Sequence, residues 1–181
     1  MTGPPEPTLR LATLDDAEAI DALMKASIRA VFPSFYDPVQ TASAVTYVGQ
    51  VDRMLIEDGT LFVIEAEDGL VASGGWGRRA KLFSGSAEQE LDRARLLDPV
   101  AEPARVRAMF VRGDQTRRGL GTRILEAAEA AARAEGFVRL ALMATLPGVA
   151  LYERFGFVAR ERVLITHPDG IALAGVEMDK V

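Results

Sequence analysis

Between Val111 and Gly121 the chain reads VRGDQTRRGLG, and the residues that follow, TRILEAAEAAARAEG, have the composition of a helix. An apolar stretch, Val106 to Val111, leads into this turn of arginines and glycines. A strand that turns into a helix in this way aims backbone N–H groups at one point, where an anion is held without side-chain ligands. Gly119 and Gly121 permit close approach, and Arg117 and Arg118 add positive charge; a solvated arginine face is the other reading of the same cluster. The spacing narrows which phosphate belongs there. The dinucleotide fingerprint GxGxxG requires glycine at 124, where the chain has Ile124, and no lysine follows either glycine as a P-loop requires.

A second cluster lies downstream. In ALYERFGF (150–157) a tyrosine, Tyr152, precedes a Gly-Phe pair by four residues, after an apolar segment and a short helical one. Taken with Thr116-Arg117-Arg118-Gly119-Leu120-Gly121, it resembles the GCN5-related N-acetyltransferases (GNAT), whose acetyl-CoA loop is written [Q/R]-x-x-G-x-[G/A]. Thr116 departs from that pattern at its first position. The resemblance runs from TLRLAT to GVEMDKV.

It implies acetyl-CoA as co-substrate and transfer of the acetyl group to a primary amine, of a small molecule or a peptide, by direct attack in a ternary complex. The diphosphate is expected on the backbone of Arg117, Arg118, Gly119, Leu120, Gly121 and Thr122. The pantetheine arm is expected along Met109, Phe110 and Val111, with the Met109 N–H facing the thioester oxygen, where it would stabilise the developing oxyanion. Tyr152 is the expected acid for the departing thiolate. A phenol of pKa about 10 facing a thiol of about 8.5 makes that transfer slightly uphill in water, so the site must destabilise the thiolate or hold the proton in a hydrogen bond.

The base is not evident, because Arg105 to Val111 holds no carboxylate. Glu65, Tyr36 or an ordered water are the candidates, and His167 is expected at the surface, in a His-Pro-Asp-Gly turn. Phe35, Tyr36 and Trp76 either line an apolar or cation-accepting acceptor pocket or pack as core. A non-catalytic acyl-CoA-binding sensory or regulatory module, and a structural protein that kept the fold, are the alternatives; a homodimer is compatible with the resemblance.

The positioning elements follow from periodicity. TLRLAT (8–13) reads as an edge strand. The next helix carries Ala19, Ile20, Leu23, Met24 and Ile28 at helical spacing, capped by Asp15 or Asp16. FPSFYDP (32–38) reads as a loop, and Val39 to Asp58 as a second helix broken near Gly49. Residues 60–79 alternate as two strands about a Glu67-Asp68-Gly69 hairpin turn, and 80–103 read as a long surface excursion. The strand Arg105–Val111 and the helix Gly119–Glu135 come next. FVRLALMAT (137–145) suits a central strand buried on both faces. A short helix (147–155) and a strand pair about His167 close the chain. The order is β-α-α-β-β-β-α-β-α-β-β, a mixed, mostly antiparallel α/β sheet flanked by helices in a single domain (8–181) behind a flexible tail (1–7).

Composition bounds the rest. At 181 residues one domain suffices. The absence of cysteine excludes disulfides, thiolate zinc sites and cysteine nucleophiles, and a single histidine argues against a histidine-based metal site. No apolar run is long enough to span a membrane. A net charge of −5 disfavours nucleic acid. With no signal peptide in MTGPPEPTLR, a cytoplasmic location is expected.

Overall fold

The computed structural model describes residues 5–80 and 95–181. Its strands are β1 (Thr8–Leu11), β2 (Leu61–Ala66), β3 (Gly69–Gly77), β4 (Ala104–Val111), β5 (Leu140–Thr145), β6 (Val158–Thr166) and β7 (Ala172–Lys180). Its helices are α1 (Ala17–Val31), α2 (Pro38–Tyr47), α3 (Arg53–Glu57), α4 (Leu120–Ala134) and α5 (Val149–Phe155). The element order is the expected one with a short helix added. The expected break near Gly49 divides the stretch from Val39 to Asp58 into two helices, each with its own cap. Asp37 accepts from the Gln40 N–H to start α2, and Asp52 accepts from the Met54 N–H to start α3. The expected loop 32–38 holds a 3-10 turn, Phe32–Ser34.

The strands form one sheet in the order β1-β2-β3-β4-β5-β7-β6, with β4 and β5 its parallel pair and every other neighbour antiparallel. Alternation along β2 shows how both faces are covered. Leu61 and Val63 pack with Ile20 and Met24 of α1, whereas Ile64 packs with Leu120 and Ile124 of α4. β5 is interior as expected, but its burial alternates: Leu140, Leu142 and Ala144 are buried, while Ala141, Met143 and Thr145 are only partly so. Its second face borders a cavity instead of a helix.

Two irregularities of β4 shape the middle of the sheet. Ala108 has φ +57°, an uncommon conformation for a residue with a side chain, and the register with β3 shifts between Ser73 and Gly75. Ala108 and Met109 thus form a bulge opposite Gly74. On its other side β4 pairs with β5 only at Ala104 and Arg105. Beyond them the two parallel strands part, and a cleft opens between their C-terminal halves.

The excursion expected over 80–103 falls largely on residues 81–94, outside the described residues. Its returning limb is tied to the sheet: Leu97 is buried, and its N–H donates to the Arg78 carbonyl at 2.8 Å.

Candidate active site

The loop after β4 builds one wall of a groove of about 250 Å³ from backbone. Gly119 adopts φ +78° and Arg117 φ +62°, so the chain doubles back before α4 begins at Leu120. The first α4 donor with an intrahelical partner is the Arg123 N–H, to the Gly119 carbonyl at 3.0 Å. The N–H groups ahead of it, on Leu120, Gly121 and Thr122, start the helix without a side-chain cap or an acidic residue in the first turn. That end therefore carries the uncompensated positive pole of the helix dipole. Gly121 lets α5 approach: a Cβ there would lie 2.8 Å from Leu151 Cδ2.

The exposed edge of β4 continues the groove. The Arg112 N–H donates to the Val71 carbonyl of β3, and Ser27 Oγ donates to the Val111 carbonyl at 2.7 Å from the other side. Backbone groups alternate sides along a strand. The Val111 carbonyl thus faces away from β3, on the side of the cleft. Of the residues expected to hold a cofactor, Met109, Phe110, Val111, Arg117, Gly119, Leu120, Gly121 and Thr122 all line the groove. Arg118 does not; its guanidinium donates to Gln115 Oε1 at 2.9 Å. The Met109 side chain packs against the core, as the residue type alone suggests.

A second, smaller cavity of about 110 Å³ lies on the other side of the β4–β5 cleft. Met24, Val48, Val106, Met143, Ile165 and Leu173 make it largely apolar. Its polar groups come from separate elements. Arg107 of β4 donates to Asp52 at 2.7 Å, with the two side chains 7% and 8% exposed. His167, 3% exposed, shares a hydrogen bond of 2.7 Å between its Nδ1 and Ser43 Oγ of α2, and its ring lies 5.5 Å from that of Tyr47. Burial pushes the imidazole below its ordinary pKa, against an opposing pull from Asp169.

Met109, Phe110, Thr145 and Tyr152 line both the groove and the cavity. Tyr152 is buried at the junction, its ring edge-on to Phe157 at 5.9 Å. Its hydroxyl makes no hydrogen bond to a described residue, and burial pushes the phenol's pKa up. It is therefore held neutral, with its proton available.

Several expectations need correction. Trp76 is 1% exposed and packs edge-on with Phe137 in the core, on the face of β3 that α4 covers, away from the cavity. Phe35 is 49% exposed and lines neither the groove nor the cavity. Tyr36 does line the cavity, yet its hydroxyl donates to the Ala174 carbonyl and accepts from the Leu146 N–H, which leaves it no free role as a base. Glu65 lines neither space and is paired with Arg10 across β1. His167 is not at the surface, because α2 covers the turn that carries it. Asp52 and Arg107 were not anticipated. The cap position of Asp52 was readable, but its meeting with Arg107, 55 residues on, is a product of the fold.

The comparisons with known proteins bear on this arrangement. The family model described as an acetyltransferase (GNAT) domain matches residues 57–159. No curated protein matches the chain in sequence. Among solved structures, a GCN5-related N-acetyltransferase from Rhodopseudomonas palustris superposes with a TM-score of 0.70 at 21% identity, over 99% of this chain and 98% of its own. The PaiA N-acetyltransferase of Thermoplasma acidophilum, in complex with coenzyme A, gives 0.64 at 12% identity, over 97% and 99%. YncA of Salmonella typhimurium, with its cofactor acetyl-CoA, gives 0.61 at 17%, over 97% and 94%. At these identities the likeness is one of fold.

Proposed function

The chain belongs to the GNAT acetyltransferase family, and from that premise we propose that it transfers the acetyl group of acetyl-CoA to a primary amine by direct attack in a ternary complex. The observation that carries this reading is the pair of spaces meeting at Met109, Phe110, Thr145 and Tyr152. A two-substrate transfer needs that: a place for each reactant and one point of contact between them.

The groove fits a CoA. Its phosphate end has N–H groups at an uncapped helix start with no acidic side chain in that turn. Its other end has the free edge of β4, which accepts an extended amide-bearing arm as one more strand would be accepted. The acetyl-CoA supplies an activated acyl group. The protein's part is to hold it, to aim the Met109 N–H at the oxygen that gains negative charge, and to keep the Tyr152 proton beside the sulfur. The raised pKa of Tyr152 does not oppose its role as acid. The same desolvation raises the thiolate's proton affinity, and only the difference between the two drives the transfer.

The acceptor is assigned to the smaller cavity. Its volume and apolar walls suit a compact amine better than a protein N-terminus. Release of free CoA thiol across a panel of primary amines tests the assignment, with calorimetry against acetyl-CoA alongside. Binding and turnover are expected. Binding without turnover on any amine favours a non-catalytic acyl-CoA module, and failure to bind acetyl-CoA overturns the reading.

A further inference from the structure

We propose that His167 is the general base of the transfer, with Ser43 holding its ring in the tautomer that makes it one; this rests on the acetyltransferase reading and on the smaller cavity being the acceptor's. A primary amine of pKa near 10 arrives as ammonium at neutral pH and must shed protons to become an amide. The groups facing that cavity can be taken in turn. Arg107 has no lone pair to offer. Asp52 accepts from Arg107 on one carboxylate oxygen and from the Met54 N–H on the other. Tyr36 both donates and accepts through its hydroxyl. Tyr152 is a buried phenol at the junction with the groove, suited to giving a proton. His167 remains, the chain's single imidazole, walled in by Ser43 and Tyr47 of α2, with Asp169 on its own turn.

Ser43 sets the tautomer because its hydroxyl also bonds the Asp169 carboxylate, which can only accept, so Oγ is left to accept from the ring. When Nδ1–H donates to Ser43 Oγ, the lone pair is left on Nε2, the nitrogen at the far side of the ring from α2. Burial keeps that imidazole neutral at pH 7 and so able to accept. In the reaction the amine nitrogen bonds to the carbonyl carbon and its proton passes to His167 Nε2. The C–S bond breaks, and the sulfur takes the phenolic proton of Tyr152. His167 then releases its proton to solvent and Tyr152 regains one, so both residues end as they began. An acceptor that enters as ammonium gives up one further proton through the same imidazole before attack.

Nitrogen NMR of the full-length protein reads the ring without ambiguity, since only one histidine exists. The expected state at pH 7 is neutral with Nδ1 protonated. An Nε2–H tautomer, or an imidazolium, overturns the proposal whether or not an acceptor is in hand. The kinetic arm uses n-alkylamines from propyl to hexyl as acceptors. His167→Gln should lower kcat/KM by roughly 10²- to 10⁴-fold and remove the acid limb of its pH profile, with acetyl-CoA affinity unchanged. His167→Ala should recover part of the rate with added imidazole. Ser43→Ala should shift the midpoint of the acid limb, which a purely structural serine would leave in place. Equal turnover of His167→Gln and the unaltered protein overturns the base while the acetyltransferase reading stands. Failure of the unaltered protein to bind acetyl-CoA overturns that reading instead.

Discussion

The groove and the cavity meet at four residues yet are built from different material. The groove's loop end is backbone: Gly119 in a left-handed conformation, Arg117 beside it, and the uncapped start of α4. The cavity is side chain, gathered from α1, the segment after α2, β4, β5, β6 and β7. A site made of N–H groups tolerates changes of side chain so long as the turn keeps its shape. A site made of side chains places a charge pair and an imidazole where water is scarce, and each must be satisfied within the fold. The two regions should therefore fail in different ways.

The largest effect is expected in the cavity. Asp52→Ala removes the carboxylate 2.7 Å from Arg107, with both side chains less than a tenth exposed. A loss of about 3–5 kcal/mol in unfolding free energy is expected by urea denaturation. A change under about 1 kcal/mol would mean the pair is open to water.

Gly119→Ala addresses the backbone site. At φ +78° a Cβ costs about 1–2 kcal/mol, and acetyl-CoA affinity should fall roughly tenfold by calorimetry as the turn relaxes. Unaltered affinity would show that side chains, not the turn, hold the ligand.

Asp16→Asn is a perturbation common to both regions. Asp16 lies just before α1, which contributes Met24 to the cavity and Ser27 to the groove. The Arg10 guanidinium holds the Asp16 carboxyl down at about 2 from 3.8. The unfolded state takes up the proton first as pH drops, so this stabilisation is present above pH 3.8 and lost as pH falls toward 2. Allowing for the part-exposed arginine it amounts to about 1 kcal/mol, read as a lowered Tm at pH 7 whose deficit closes in acid.

The smallest effect is expected from Thr116→Gln, which restores the motif's first position. If backbone groups do the binding, acetyl-CoA affinity should move by less than about 0.5 kcal/mol. A larger gain would give the side chain at 116 a share of the phosphate.

What was readable in the sequence follows the same division. Gly119, Gly121 and Tyr152 stood out because a left-handed turn, a close helix contact and a Tyr-to-Gly-Phe spacing leave local marks. The succession of strands and helices along the chain was readable too, from the periodicity of each segment and the turn residues between them. Trp76 was open between acceptor pocket and core, because alternation along β3 does not say which face meets the cavity; the packing of Phe137 and α4 against its ring puts it in the core. His167 looked like a surface residue because Pro168, Asp169 and Gly170 make a turn. Only the packing of α2 over that turn buries it, through Ser43, 124 residues earlier in the chain. Asp52 and Arg107 are ordinary residues in sequence whose meaning comes from contact alone.

The claim that the two spaces join at Tyr152 is tested most directly by one substitution assayed in two ways. Tyr152→Phe should leave acetyl-CoA affinity unchanged by calorimetry while CoA-thiol release in the presence of an alkylamine falls by roughly 10²- to 10⁴-fold. Full turnover in that variant, or a loss confined to acetyl-CoA binding, would contradict the account.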